Sequence, residues 1–374
     1  MTPKGQGDVF LPRLGGMPRP TNAMNNFSYD ALPGRVLFGS GTRERLADEI
    51  KRLNCAHALI LATPRHETAA NELARSLGPL AAGVFAEAVM HTPISVSERA
   101  VKVAQSLRAD CTVAFGGGST TGLGKAIALR TDLPQIVIPT TYAGSEMTPI
   151  LGETADGVKT TQRTLKVLPE VVLYDVELTL ALPVAVSVTS GLNAVAHAVE
   201  ALYAKERNPL VSLMAEESLR AFARSLAAIV ANPKDVNARA GALYGAWLAG
   251  TCLGAVGMAL HHKLCHVLGG TFDLPHAETH AIILPHAIAY NAPLEPLVMR
   301  KIAEAFGAED PAVGLYDLTG RLGAKRSLKE VGMPEAGIER AVMLATQNPY
   351  WNPRKIEPGP IRELLRRAWS GDSP

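Results

Sequence analysis

The chain has 374 residues, 47% hydrophobic and 19% charged, an ordinary globular composition with material for two domains. A formal net charge of +2 removes the electrostatic case for nucleic acid or an acidic membrane surface. Cys55, Cys111, Cys252 and Cys265 are scattered with no CxxC pair, so they read as reduced thiols of a cytoplasmic protein.

Residues 1–24 are rich in Gly and Pro and lack a continuous apolar run. They read as a flexible tail rather than a secretory signal, and Met24 offers an alternative start. Beyond them, short apolar runs alternate with helical patterns. Strands are predicted over 56–63, 111–115, 135–139 and 171–175, and helices over 65–77, 95–109 and 119–129. Ser95 and Glu98 have capping-box spacing. This alternation predicts a parallel sheet with helices on both faces.

Near Leu182-Pro183 the strand signals stop. Helical patterns follow over 190–204, 209–231, 236–260, 296–306 and 360–369. The predicted organisation is an α/β dinucleotide-binding domain over 25–182 and an all-α domain over 183–374, with the ligand site in the cleft between them. Residues 240–260 carry no charge, which is enough length to span a bilayer. Their Gly and Ala content predicts a buried, tightly packed helix pair instead, and no membrane partner.

Gly116, Gly117, Gly118 and Ser119 follow one strand and open a helix. Small residues there let a phosphate approach free N–H groups at the positive end of the helix dipole, and Ser119 can add a hydroxyl and a cap. Thr140, Thr141 and Ser145 form a second polar loop at another strand end, where open α/β sheets bind ligands. Together the two loops predict a dinucleotide.

Seven of the ten histidines fall in or beside 191–204 and 261–286. Asn193 and His197 are four apart and share a helix face. A divalent ion usually takes a carboxylate or thiolate, and here the helix offers a neutral amide, so no metal is predicted. His280 and His286 are assigned to structure, and His57, His66 and His91 to no role.

With these motifs in view, the chain resembles the iron-containing (group III) alcohol dehydrogenase superfamily, which has a dehydroquinate synthase-like fold. The superfamily's metal-binding Asp-x-x-x-His and two later histidines fall on Asn193, His197, His262 and His276. "GGGSTTGLGKAIAL", "PTTYAGSEMTPILGE", "SGLNAVAHAVEALYA", "HHKLCHVLGGTFDLPHAETHA" and "NPYWNPR" resemble one branch more closely, the maleylacetate reductases.

That resemblance implies a homodimeric, NADH- or NADPH-dependent, metal-independent enzyme acting on CH–CH donors. It would reduce the carbon–carbon double bond of maleylacetate, a small dicarboxylate, to 3-oxoadipate during aromatic compound degradation. It places His197, His262 and His276 as hydrogen-bond donors and His266 as a second candidate acid. Asn193 and Lys263 become candidate substrate contacts. Thr63 stands where many superfamily members carry an Asp against the adenosine ribose, so NADPH should be tolerated. Gly122 replaces another common Asp, and Lys125 supports the nicotinamide or phosphate region or reaches solvent. The alternative is a metal-dependent alcohol or aldehyde reductase of the same fold.

Overall fold

Six parallel strands make the main sheet. They are β1 (Arg35–Gly39), β2 (Ala58–Leu61), β3 (Ala81–Phe85), β4 (Cys111–Gly116), β5 (Gln135–Pro139) and β8 (Val171–Asp175), in the order β1-β8-β5-β4-β2-β3. β6 (Ile150–Ala155) and β7 (Val158–Arg163) form a separate antiparallel hairpin. The computed structural model describes residues 27–374 except 33, 156, 157 and 349, so the tail predicted over 1–24 lies outside the described residues. Around the sheet run α1 (Leu46–Arg52), α2 (Glu67–Leu77), α3 (Ile94–Ser106), α4 (Gly118–Thr131) and α5 (Val176–Thr179). β2, β4, β5 and β8 are buried along their whole length, so they read as continuous apolar runs.

The helical half comprises α6 (Val184–Leu202), α7 (Pro209–Ala231), α8 (Val236–Ala255), α9 (Leu260–Phe272) and α10 (His276–Asn291). α11 (Pro296–Phe306), α12 (Pro311–Arg321), α13 (Gly337–Thr346) and α14 (Pro358–Ser370) complete it. α6, α7 and α8 share one large apolar core that also takes in Tyr142 and Tyr174 from the sheet domain. The uncharged 240–260 stretch is therefore buried packing surface, broken at Val256 where α8 gives way to α9 at a 95° bend. No single helix among the described residues is long and apolar enough to cross a membrane.

Two predicted caps do not form. α3 starts one residue early, with Pro93 at its N-cap, so Ser95 already sits in the first turn. α4 starts at Gly118 with Gly117 at the N-cap, so Ser119 caps nothing. α6 begins at Val184, six residues before its predicted start.

The domains meet along the loop after β5. The Tyr142 N–H donates to Ser190 Oγ on α6 at 3.0 Å. Fully buried Arg239 on α8 donates to Ser187 Oγ (2.6 Å) and to the Leu182 and Pro233 carbonyls (3.0 Å each). Gly144, at φ +77°, lies directly on Gly250 of α8, where an added Cβ would overlap the Gly144 carbonyl. Gly250→Ala is expected to destabilise the protein by about 1–3 kcal/mol, the usual cost of overpacking against backbone. The melting temperature measures it, and an unchanged value would mean that the loop gives way freely.

Candidate active site

A cleft of about 780 Å³ opens between the domains at the carboxyl ends of the strands. Its sheet-domain wall carries Gly118 and Ser119 from the first turn of α4, with Ser145 and Thr148 from the loop after β5. Its helical wall carries Asn193, His197, His262, His266, His276 and His280. Gly116, Gly117, Thr140 and Thr141 lie behind this lining at the strand ends. The Thr140 N–H donates to the Gly116 carbonyl at 3.0 Å, and a Cβ on Gly117 would meet Thr141 at 3.0 Å. The two loops thus form one surface. Thr63 follows β2, outside the cleft lining, with Oγ1 2.9 Å from His66 Nδ1.

Lys125 needs correction. It is part of the cleft lining but does not reach solvent. It is 1% exposed, and its ammonium donates to the Ser145 (2.6 Å), Thr148 (2.7 Å) and Ile150 (2.8 Å) carbonyls and to Thr148 Oγ1 (2.9 Å). Burial pushes its pKa down to about 7, opposed by the charge of Glu146. Its role is to brace the 145–150 segment against α4. Lys263 also needs correction. With His262 and His266 turned into the cleft, the 100° step per residue carries Lys263 away, and its ammonium lies 5.6 Å from the Tyr350 ring centroid. Gly122 faces Thr92, whose Oγ1 would lie 2.5 Å from a Cβ there, so no Asp fits without displacing that wall.

The carboxylate missing at position 193 has a counterpart one turn beyond His197. Glu200 is 0% exposed and accepts from the backbone N–H of Ala259 (2.8 Å) and His261 (2.7 Å) and from His262 Nδ1 (2.7 Å). Burial raises its pKa, and the His261 charge and the backbone bonds oppose the rise. An acceptor already holding two N–H groups requires the His262 proton on Nδ1, leaving Nε2 unpartnered among the described residues. The i, i+4, i+7 spacing of Asn193, His197 and Glu200 was the available signal. The same reasoning recovers His280, four residues after His276 on α10. Its ring centroid is 4.2 Å from that of His276 and 5.0 Å from that of His262, so it belongs to the site and not to structure alone. The His197 and His262 centroids are 5.1 Å apart.

Burial keeps these rings uncharged. His197, His262 and His280 lie well below the ordinary imidazole range, and His261 is pushed down to about 4. His286, away from the cleft, is also pushed to about 4. Asn193 Oδ1 and His197 Nδ1 are buried without a hydrogen-bond partner among the described residues.

The family model for iron-containing alcohol dehydrogenases matches residues 33–176, and that for the C-terminal region of the Fe-containing alcohol dehydrogenase family matches 187–369. The chain belongs to the iron-containing alcohol dehydrogenase family. It is 58% identical over 348 residues to maleylacetate reductase of Sphingobium indicum, covering 93% of this chain and 99% of the relative. It is 57% identical over 351 residues to maleylacetate reductase of Rhizobium sp. strain MTP-10005, covering 94% and 100%. The crystal structure of maleylacetate reductase from Agrobacterium tumefaciens superposes with a TM-score of 0.92 at 57% identity, covering 94% of this chain and 100% of that one. The chain is therefore an oxidoreductase of this family with its two-domain fold.

The family name implies iron, and the donor set here does not fit it. Asn193 offers a neutral amide oxygen and the imidazoles are held neutral by burial. Glu200 is already committed to α9, and Glu278 lines the cleft from the first turn of α10. An iron(II) ion held by Asn193, His197, His262 and His276 would have neutral donors only.

Glu200→Gln puts an NH₂ group where N–H donors converge. A loss of roughly 2–4 kcal/mol is expected from the disrupted charge-assisted bonds, measurable by urea unfolding. Unaltered stability would mean that α9 does not depend on this carboxylate. A second expectation concerns pH. Unfolded imidazoles titrate near 6.5 and His261 and His286 near 4, so between these values the unfolded chain binds more protons. Stability should be complete above about pH 6.5 and fall as pH drops toward 4. His286→Gln, measured by the same unfolding curves, should lessen that fall. An equal slope would contradict the assignment.

Proposed function

We propose that this cleft reduces the carbon–carbon double bond of maleylacetate to 3-oxoadipate, with NADH as donor, NADPH tolerated and no metal required. The observation that carries the reading is the full-length similarity to maleylacetate reductases, joined to a site in which Glu200 backs His262 and position 193 is an amide.

The nicotinamide cofactor supplies a hydride when bound. The residues present suit the remaining work. The α4 N-terminus beside Gly117, Gly118 and Ser119 presents free N–H groups for a pyrophosphate. Thr63, lacking a charge, would not repel a 2′-phosphate as an Asp would.

Maleylacetate is an enone flanked by carboxylates. Hydride adds to the alkene carbon β to the ketone, the π electrons move to the ketone oxygen, and an enolate forms. Imidazole and amide groups aimed at that oxygen stabilise the developing charge without a Lewis acid. The carbon α to the ketone then takes a proton from the histidine group, which includes His262 and His266, or from a water held by it. Glu200 orients His262 throughout.

The test is maleylacetate-dependent loss of NADH absorbance after exhaustive dialysis against a strong chelator, repeated with NADPH. Retained turnover with both cofactors is expected. Activity that returns only with added zinc or ferrous iron would favour the metal-dependent alcohol or aldehyde reductase reading. Activity confined to NADH would remove the role given to Thr63.

A further inference from the structure

A dianionic substrate needs a counter-charge, and the cleft offers very little. Among its described lining residues the only lysine and arginine are Lys125 and Arg163, and the only acid is Glu278. Lys125 is spent on four oxygens of its own domain. The cleft histidines with the deepest burial, His197, His262 and His280, are kept neutral. That leaves Arg163.

Arg163 is the last residue of β7, paired with Ile150 of β6. Alternation along the hairpin puts Thr161 and Arg163 on one face, and both line the cleft. One guanidinium nitrogen, Nη2, donates to the Gly254 carbonyl in the last turn of α8. That is the negative end of a 20-residue helix, a weak partner for a full charge. Among the described residues no ion pair is seen for Arg163, and its bond to Gly254 uses one of its five N–H donors. It stands on the sheet-domain wall, while the histidines stand on the helical wall of the same cleft.

We propose that Arg163 is the carboxylate anchor and sets the preference for dicarboxylate substrates. This rests on the proposed reaction for the identity of the substrate, and on the charge inventory for the anchor itself. A bidentate guanidinium–carboxylate pair at the mouth would orient the chain-like substrate with its alkene toward the histidines. Because Arg163 is solvent-exposed, its effect should be sensitive to ionic strength.

The experiment compares wild type, Arg163→Gln and Arg163→Lys. Adipate binding is measured calorimetrically in saturating NADH, alongside steady-state kinetics with maleylacetate and thermal unfolding. For Arg163→Gln, adipate Kd and maleylacetate KM should rise roughly 10- to 100-fold, the range for losing a charge-assisted pair. The change in kcat should be smaller, NADH KM and melting temperature should hold, and Arg163→Lys should recover part of the loss. Unchanged adipate Kd and maleylacetate KM would overturn the anchor, as would a loss that follows NADH KM or melting temperature. Wild type that binds adipate through Arg163 but leaves maleylacetate unreduced would keep the anchor and remove the substrate reading. Reduction of maleylacetate by Arg163→Gln at the wild-type KM would do the reverse.

Discussion

Glu200 carries a carboxylate at 0% exposure, which is costly unless every lone pair has a donor. The first turn of α9 meets that demand with two backbone N–H groups and His262 Nδ1. The geometry benefits both elements. The charge sits at the positive end of α9, and the helix begins at Leu260 because its otherwise orphaned N–H groups are satisfied there. The 95° bend between α8 and α9 follows from the same contact, since the chain must turn to bring Ala259 and His261 to α6. The part of the helical wall that α9 supplies depends on this bend. His262 faces the cleft because its other nitrogen is held from behind, and His266 follows one turn later on the same face.

The opposite wall is fixed by a different device. The 140–150 segment cannot rest on regular secondary structure, because it must pass between α4 and α8 while presenting hydroxyls to the cleft. Lys125 gathers its carbonyls from below. Gly144 and Gly250 bring its backbone against α8 at a distance that no side chain would allow. The two walls meet at this loop. The cleft lies beside this contact at the strand ends, which suits a dinucleotide lying across them.

Much of this was legible in the sequence, for reasons that differ by element. β2, β4, β5 and β8 were readable because both faces are buried, so nothing interrupts their apolar runs. β1 and β3 were not, since β1 is an edge strand with mixed exposure and β3 is largely small residues. The β6–β7 hairpin hid inside a polar stretch, and Arg163 hid with it. α9 and α10 carry so many histidines that the segment read as a ligand cluster before it read as two helices. Caps failed at Ser95 and Ser119 because Pro93 and Gly117 each supply the start geometry two residues earlier. Lys125 and Lys263 could not be placed from spacing alone, because a lysine's long stem leaves its charge free to turn inward or outward.

Asn193 gains meaning from this arrangement. A carboxylate there, added to Glu200 behind His262, would put two acids around imidazoles that burial keeps neutral. In the proposed metal-independent reaction, that second charge would repel the dicarboxylate or favour a protonated histidine. The amide avoids both outcomes while keeping an oxygen and an N–H₂ group at the same place. Gly122, pressed on Thr92, keeps a further acid off the sheet-domain wall. Two losses of negative charge on facing walls, with one uncommitted arginine at the mouth, describe a single electrostatic change. On the proposed reading, that change would let the cleft admit a dianion.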